Sequence, residues 1–258
     1  MSNISKTFKK LRAQGRKAFI PYIMAGYPSV QRTKELIKML EECGADIIEL
    51  GVPFTDPMAD GPVIQRAAEG ALREGVTLRK VIELVREIRT FSKTPIVLMT
   101  YYNPVFKYGE ELFIKDASLA GVDGLIIPDL PPDEAGNLIK LARKSKVDTI
   151  FMLAPTSTPE RVKIVAKASR GFIYYVPITG ITGARLQLQS SELNEALSGV
   201  RAAASVPVCV GFGVSTPEEA RNVAATADGV IVGSAIVKRL GESEEELRAY
   251  IKSLRGAI

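Results

Sequence analysis

Eight short apolar runs, separated by amphipathic stretches of helical pattern, are the feature that most constrains the fold of this sequence. The runs are continuous in apolar residues, as strands buried on both faces are, and most recur at intervals of roughly 25–30 residues. They are AFIPYIMA (18–25), DIIEL (46–50), PIVLMTY (95–101), GLIIP (124–128), TIFMLA (149–154), FIYYV (172–176), VPVCVGF (206–212) and GVIVG (229–233). Eight strand–helix units predict an α/β protein with a (β/α)8 TIM-barrel fold, and an open doubly wound sheet is the alternative.

The stretches between the runs carry the residues that usually start and end helices. SVQRTKELIKMLEECG (29–44) ends in glycine, and STPERVKIVAKAS (157–169) and STPEEARNVAATA (215–227) open with Ser-Thr-Pro. The basic stretch MSNISKTFKKLRAQGRK (1–17) predicts an extra helix ahead of the first strand. No low-complexity linker divides the chain, so we expect residues 1–258 to form a single barrel domain.

Two predicted connections are too long to be simple turns, because strand-to-helix loops usually have only a few residues. One runs from Gly51 to about Pro62 after the second run, and the other from about Pro177 to Gln189 after the sixth. Both follow the carboxyl ends of strands, the face on which barrels build their active sites. We therefore expect these loops to be lids or partner surfaces.

The composition disfavours several kinds of chemistry. The sequence has no histidine, and its two cysteines lie far apart, which disfavours a zinc site and removes the usual general base. The net charge of +5 is spread along predicted helices, which disfavours a nucleic-acid surface. No segment approaches membrane-spanning length, and the N-terminus lacks the apolar core of a signal peptide. We expect a cytoplasmic protein that binds neither nucleic acid nor membranes, with its thiols reduced.

Glycines in the last two strand–helix units predict a phosphate site. Barrels often bind phosphate with main-chain N–H groups of the loops after strands 7 and 8 and of a short extra helix. The matching segments are GFGVS (211–215) and GSAIVK (233–238), so Gly213, Gly233 and Ser234 are candidates. Gly183, in the long sixth loop, is a further candidate donor.

Acidic residues crowd the end of the second run and the loop LGVPFTDPMADGP (50–62). Glu49 is second-last in its run and should point into the barrel mouth, where apolar neighbours would raise the pKa of its carboxyl toward neutrality. The alternative for Glu49 is a buried ion pair. Asp60 lies on the loop, where we expect more solvent and an ionised carboxylate, so that the two groups could divide acid–base work. Asp56 precedes a proline and is interpreted as a turn former.

The other strand ends are mostly apolar or aromatic, which suits a flat hydrophobic ligand. They carry Tyr22, Thr100, Pro128, Met152, Tyr174 and Phe212. No predicted strand ends in lysine, which disfavours a Schiff-base aldolase, whereas a carboxylate-bound Mg²⁺ stays open. The residues alone predict a phosphate-binding barrel whose substrate has an apolar part, and they leave the reaction type open.

Four segments resemble the α subunit family of tryptophan synthase: ELGVPFTDPMADGP (49–62), TGITGA (179–184), VGFGVSTPEEA (210–220) and GSAIVK (233–238). The resemblance spans nearly the whole chain, from FIPYIMAGYP (19–28) to the last helix. It implies a carbon–carbon lyase that cleaves indole-3-glycerol phosphate to indole and glyceraldehyde 3-phosphate, a retro-aldol reaction in the last steps of L-tryptophan biosynthesis.

The resemblance also implies roles for individual residues. The glutamate matching Glu49 shuttles protons between the indole ring and a glycerol hydroxyl, and the aspartate matching Asp60 binds the indole N–H and stabilises positive charge there. Thr182 would help to hold Asp60 when the two long loops close. The phosphate would rest on Gly183, Gly213, Gly233 and Ser234, and the indole pocket would comprise Tyr22, Thr100, Ile126, Tyr174 and Phe212.

A partner follows from the same resemblance. The family's β subunit carries pyridoxal phosphate and receives indole through a tunnel in an αββα heterotetramer, so no cofactor and no metal are expected in this chain. Matching contact positions are Pro53, Asp56, Asn103, Phe106 and Pro131, which revises the interpretation of Asp56 toward the interface. Pro177 replaces a common serine ahead of the sixth loop, and the fixed φ of proline should stiffen that loop's start.

Three alternatives stay open at this point. The first is a lyase that needs no partner for its full rate. The second is a phosphoribosyl-sugar isomerase or an indole-forming cyclase on the same barrel, although such cyclases would need a lysine at a strand end, and none is predicted here. The third is a phosphate-ligand sensor, which would bind the ligand without turning it over.

Overall fold

The computed structural model describes residues 1–177, 190–211 and 213–258, with the backbone alone for 190–192. Within these residues, nine parallel strands form one sheet in the order β5-β4-β3-β2-β1-β9-β8-β7-β6. The strands are β1 (Ala18–Met24), β2 (Ile48–Gly51), β3 (Ile96–Met99), β4 (Gly124–Ile126), β5 (Asp148–Ile150), β6 (Met152–Leu153), β7 (Ile173–Tyr175), β8 (Val208–Gly211) and β9 (Gly229–Val232).

The two ends of this order meet, because β5 and β6 follow each other in the chain with only Phe151 between them. β5 pairs with β4, and β6 pairs with β7. Main-chain bonds complete the junction: Arg170 N–H donates to Thr149 O at 2.9 Å, and Tyr174 N–H donates to Phe151 O at 3.0 Å. The predicted strand 149–154 is therefore one barrel strand with an interruption, and the closed (β/α)8 barrel is confirmed over the open doubly wound sheet.

Helices surround the barrel. They are α1 (Asn3–Ala13), α2 (Val30–Glu42), α3 (Pro62–Arg73), α4 (Leu78–Ile88), α5 (Tyr102–Tyr108), α6 (Glu110–Ala120), α7 (Gly136–Lys144), α8 (Pro159–Ala168), α9 (Ser190–Ala203), α10 (Pro217–Thr226), α11 (Ser234–Lys238) and α12 (Glu244–Ala257). The start residues predicted from the sequence act as N-caps: the side chains of Ser29, Thr158 and Thr216 accept main-chain N–H groups of the helices that they precede. In the described part of the chain, we find no helix with the length and hydropathy needed to cross a membrane.

The extra helix α1 covers the end of the barrel at which the strands begin. Ile4 is fully buried, and its side chain lies close to Gly124 and Gly171. The Ser2 hydroxyl donates to the Asp148 carboxylate, and the Asn3 amide donates to Asp123 at 2.8 Å. The helix therefore covers the barrel interior at this end, opposite to the end where the strands finish.

An aspartate just before a strand makes two hydrogen bonds to one residue of the neighbouring strand. Asp46 N–H donates to Phe19 O at 3.0 Å, and Phe19 N–H donates to Asp46 Oδ2 at 2.9 Å. The same pair of bonds, at 2.9 Å each, joins Asp123 to Ile96 and Asp228 to Val208. We call this arrangement an aspartate clamp, and it holds the register of neighbouring strands where α1 covers them.

The two predicted long loops have different outcomes. After β2, residues 52–61 form a ten-residue connection to α3, as expected. After β7, the predicted connection from Pro177 to Gln189 lies outside the described residues except for Pro177 itself, which is buried.

Candidate active site

A cavity opens at the carboxyl ends of the strands. We call it the mouth cavity. Its walls come from several strands and from the loops that follow them, so residues distant in sequence meet there. The lining residues are Tyr22, Glu49, Asp60, Ile64, Met99, Tyr174, Gly213, Val214, Ile231, Gly233 and Ser234.

Glu49 is held inside the barrel by β2. It pairs in register with Tyr22 of β1 and is only 1% exposed. Burial, and after it the charge of Asp60, raises the pKa of the Glu49 carboxyl from its ordinary 4.5 to about 8. Its Oε2 atom is buried and has no hydrogen-bond partner in the described residues, so the buried ion-pair alternative has no support. A protonated carboxyl with a free oxygen facing a cavity is suited to proton transfer.

Asp60 lies near the end of the loop after β2, two residues before α3 begins. It is 5% exposed, which corrects our expectation of a solvated residue: the loop folds over the barrel end and buries the carboxylate. The hydroxyl of Tyr101 donates to Asp60 Oδ2 at 3.0 Å, and the Gln65 amide donates to Asp60 O at 2.8 Å. Burial raises the pKa of Asp60 to about 6, and the Tyr101 hydrogen bond opposes that rise. At neutral pH Asp60 is therefore mostly ionised while Glu49 is mostly protonated.

Two tyrosines form walls of the cavity because glycines leave them room. A Cβ on Gly51 would lie 2.1 Å from the Tyr22 hydroxyl, and a Cβ on Gly211 would lie 2.2 Å from the Tyr174 hydroxyl. A glycine on β2 is therefore needed to leave room for the Tyr22 ring of β1, and a glycine on β8 is needed to leave room for the Tyr174 ring of β7. Burial raises the pKa of both phenols well above 10, so the two rings stay neutral. These neutral rings, together with the aliphatic lining residues, suit a flat apolar ligand.

The other side of the cavity is built from glycines after the last two strands. Gly213 has a φ of +76°, which glycine adopts without strain, and Gly233 is the N-cap of α11. Gly233 has no side chain to occupy the first N–H groups of α11, and the first turn of that helix has no acidic residue. Main-chain N–H groups at a helix start attract anions. No lysine or arginine is among the described lining residues, so an anion here would rely on those amides and on the Ser234 hydroxyl.

The structure brings together most of the residues expected from the sequence. Those on the cavity wall are Tyr22, Glu49, Asp60, Tyr174, Gly213, Gly233 and Ser234. Thr100 and Ile126 are buried but do not line the cavity, and as ligand contacts they stay predictions. Thr182, Gly183 and Phe212 lie outside the described residues.

Sequence reasoning missed several lining residues. Met99 lies one residue before the predicted contact Thr100, and its register with Gly51 across β3 and β2 places it in the barrel interior. Ile231 could have been predicted from the alternation of inward and outward residues along β9. Ile64 and Val214 lie on segments that follow strands, and no sequence pattern there indicates which residues reach the cavity. Tyr101, the partner of Asp60, was missed because the run PIVLMTY gives no information about which loop crosses its end.

Metal binding has no candidate in the described part of the chain. No group of three or more Cys, Asp or Glu side chains there is arranged to hold an ion. The described carboxylates of the cavity number two, Glu49 and Asp60, and one of them is mostly protonated at neutral pH.

A closed parallel barrel with two buried carboxyl groups of separated pKa at its mouth defines a (β/α)8-barrel enzyme with an acid–base site. The sequence model of the family described as tryptophan synthase alpha chain matches residues 8–256. The chain belongs to the tryptophan synthase alpha chain family. Members of this family are lyases that cleave indole-3-glycerol phosphate in tryptophan biosynthesis, and they carry no cofactor of their own.

Similar proteins cover the chain from end to end. The tryptophan synthase alpha chain of Geobacter sulfurreducens is 50% identical over 263 aligned positions, which span 100% of this chain and 99% of the relative. That of Pelobacter propionicus is 47% identical, with 100% and 98% covered. Among solved structures, a Mycobacterium tuberculosis tryptophan synthase chain superposes with a TM-score of 0.93 at 43% identity, covering 100% of this chain and 98% of that one. The subunit alpha structure from Legionella pneumophila has a TM-score of 0.91 at 40% identity, again covering 100% and 98%. The family disfavours the isomerase and cyclase alternatives.

Proposed function

We propose that this chain cleaves indole-3-glycerol phosphate with Glu49 as the proton shuttle and Asp60 as the charge-stabilising group. One observation carries the proposal: two buried carboxyl groups line one cavity, with pKa values of about 8 and about 6. Between these values Glu49 holds a proton to give, and Asp60 holds a negative charge. A reaction that must add a proton to a ring and stabilise the resulting cation needs both states at once.

The chemistry balances with these two groups alone. Protonated Glu49 gives its proton to C3 of the indole ring, and positive charge develops at the ring nitrogen, where the Asp60 carboxylate stabilises it. The Glu49 carboxylate then takes the proton of the adjacent glycerol hydroxyl. The carbon–carbon bond breaks, its electron pair returns to the ring, and indole and an aldehyde are formed. Glu49 is protonated again at the end of the cycle.

The rest of the cavity supports this substrate. Tyr22, Tyr174, Met99 and Ile231 would enclose the indole ring, and an apolar wall also strengthens the interaction of Asp60 with developing charge by excluding water. The phosphate would lie on the N–H groups at Gly213 and Gly233 and on Ser234. Gly183 and Phe212 would complete these two regions. We propose that the whole chain works as one barrel domain, which the family match to residues 8–256 supports, and that it works in the cytoplasm.

We further propose that a pyridoxal-phosphate β subunit docks on the mouth side in an αββα heterotetramer. The name of the family implies a beta partner. Pro53 and Asp56 follow β2, Asn103 and Phe106 lie on α5 after β3, and Pro131 follows β4, so all five follow neighbouring strands. Phe106 is 67% exposed although it is aromatic, and Met58 of the same side is 77% exposed. Exposed apolar side chains around a cavity mouth support a docking surface, whereas Pro53 is itself buried.

The direct test is indole release from indole-3-glycerol phosphate by Glu49→Gln and Asp60→Asn. Each substitution keeps the size of the side chain and removes its ionisation. We expect turnover to fall by at least ~10²-fold in either variant, the lower end of the range for acid–base groups. Glu69→Gln, an exposed carboxylate on α3, is the matched control and should keep the parental rate.

Measurements of turnover and of substrate binding together separate the remaining alternatives. If Glu49→Gln turns over like the parent, Glu49 is not the proton shuttle. If the parent binds indole-3-glycerol phosphate but releases no indole with or without a β subunit, the chain is a sensor. If the parent alone already matches the rate of the mixed complex, it is a lyase that needs no partner.

A further inference from the structure

We propose that Tyr101 is a positioning residue that holds Asp60 in its working place at the mouth cavity. The inference rests on the proposed role of Asp60, and it assigns Tyr101 to the reaction although this tyrosine does not line the cavity. Tyr101 lies between the end of β3 and the start of α5, where it is the N-cap residue of that helix.

One phenol oxygen holds two consecutive residues of the loop after β2. The Tyr101 hydroxyl donates to Asp60 Oδ2 at 3.0 Å and accepts the Ala59 N–H at 3.0 Å. The first bond orients the carboxylate, and the second holds the main chain that carries it. Because Tyr101 is 3% exposed, water does not compete with either bond.

The ring of Tyr101 adds a third attachment. Phe54, near the start of the same loop, stacks on it with ring centroids 5.3 Å apart and an angle of 30° between the planes. The loop of residues 52–61 is thus joined to Tyr101 at its beginning and at its end. Since β3 and α5 fix Tyr101 from both sides, a loop that would otherwise have its own freedom presents Asp60 at one place in the cavity.

The same hydroxyl favours the ionised form of Asp60. Burial raises the pKa of Tyr101, so it stays a neutral O–H donor, and its bond to Asp60 lowers the pKa of that carboxylate against the effect of burial. The other titratable groups that face Asp60 are Glu49 on β2, Tyr22 on β1 and Tyr174 on β7. None of these three is a cation, so loss of the Tyr101 bond should raise the pKa of Asp60 and protonate it at higher pH.

The experiment compares Tyr101→Phe with Tyr108→Phe. The first variant removes one oxygen and keeps the ring that stacks on Phe54. The second removes a phenol that donates to Asp116 at 2.7 Å at the far end of α5, so it loses the same kind of bond away from the cavity. Indole release from indole-3-glycerol phosphate is measured between pH 5.5 and 9, and kcat and KM are separated. The substrate's own phosphate titration is common to all the proteins compared.

For Tyr101→Phe we expect kcat at pH 7 to fall about tenfold, while KM stays within about twofold of the parental value. The acidic limb of the kcat/KM profile should move to higher pH by about one unit, because one hydrogen bond to a charged group is lost. Tyr108→Phe should follow the parental profile. A Tyr101→Phe profile that is parallel to the parental one, or a loss of thermal stability with unchanged kinetics, would show a structural role only and overturn the inference. If Asp60→Asn also retains the parental rate, the proposed function itself fails, and the two failures are thereby distinguished.

Discussion

At the scale of single residues, the two carboxyl groups of the cavity differ because their surroundings differ. Glu49 is enclosed by the barrel and has a buried oxygen without a described partner, whereas Asp60 receives the Tyr101 hydroxyl. Both pKa values are raised by burial, but the hydrogen bond keeps that of Asp60 lower. The proposed roles, proton shuttle for Glu49 and charge stabilisation for Asp60, thus follow from the surroundings of the two groups and not from residue type.

The raised pKa of Glu49 has a consequence for stability. The folded chain binds this proton more tightly than the unfolded chain, so the contribution of Glu49 to the free energy of unfolding falls as pH rises from about 4.5 to about 8. Glu49→Gln cannot ionise and removes that dependence. We expect its Tm to gain on the parental Tm by a few degrees between pH 5 and pH 8, as measured by calorimetry. A difference in Tm that stays constant over this range would contradict the assigned pKa.

At the scale of elements, the barrel separates stability from chemistry along the strands. The aspartate clamps and α1 lie where strands begin, and Glu49 and the glycines of the mouth cavity lie where strands end. A clamp pairs the N–H of one strand with a side-chain oxygen of the next, at a position where the regular ladder has not yet started. Changes at this end should therefore act on folding and leave the reaction unaffected.

Asp228→Ala tests that separation. It leaves Val208 N–H without its acceptor, so we expect the free energy of unfolding to fall by about 1–2 kcal/mol in urea titrations. Asp228→Asn keeps a side-chain carbonyl oxygen at the same place and should lose less. The kcat/KM for indole release should match the parental value in both variants. A large loss of activity in a stably folded Asp228→Ala protein would show that the two ends of the barrel are coupled.

At the scale of the whole molecule, the open end of the barrel exposes large apolar side chains around the mouth cavity. Met58 and Phe106 are exposed there, and they follow β2 and β3, the strands whose ends carry Glu49 and Tyr101. A partner on this surface would cover the loop that holds Asp60. Docking and catalysis would then share the same segments of chain, which is a physical basis for a partner that changes the rate.

Phe106→Asp tests the docking surface. We expect it to lower the stimulation of indole release by a β subunit at least tenfold, since a charge would be buried against the partner, while the rate of the isolated chain stays within about twofold. Leu119→Asp is the matched control, because Leu119 is 70% exposed and lies near the C-terminal end of α6, the helix that follows α5. Mass measurement of the mixed proteins reports the stoichiometry. Equal stimulation in Phe106→Asp and Leu119→Asp would remove Phe106 from the interface.

What the sequence determined by itself is the order of strands and helices and the strand-end position of Glu49. Apolar runs report burial on both faces, and helix caps are local, so both can be recognised without knowing what lies across the barrel. The interruption at Phe151, the burial of Asp60 and the contact of Tyr101 with the loop of residues 52–61 were decided only by the tertiary structure. Each of these depends on how far apart two segments lie once the barrel has closed. Closure is a property of all the strands together, and no local pattern encodes that distance.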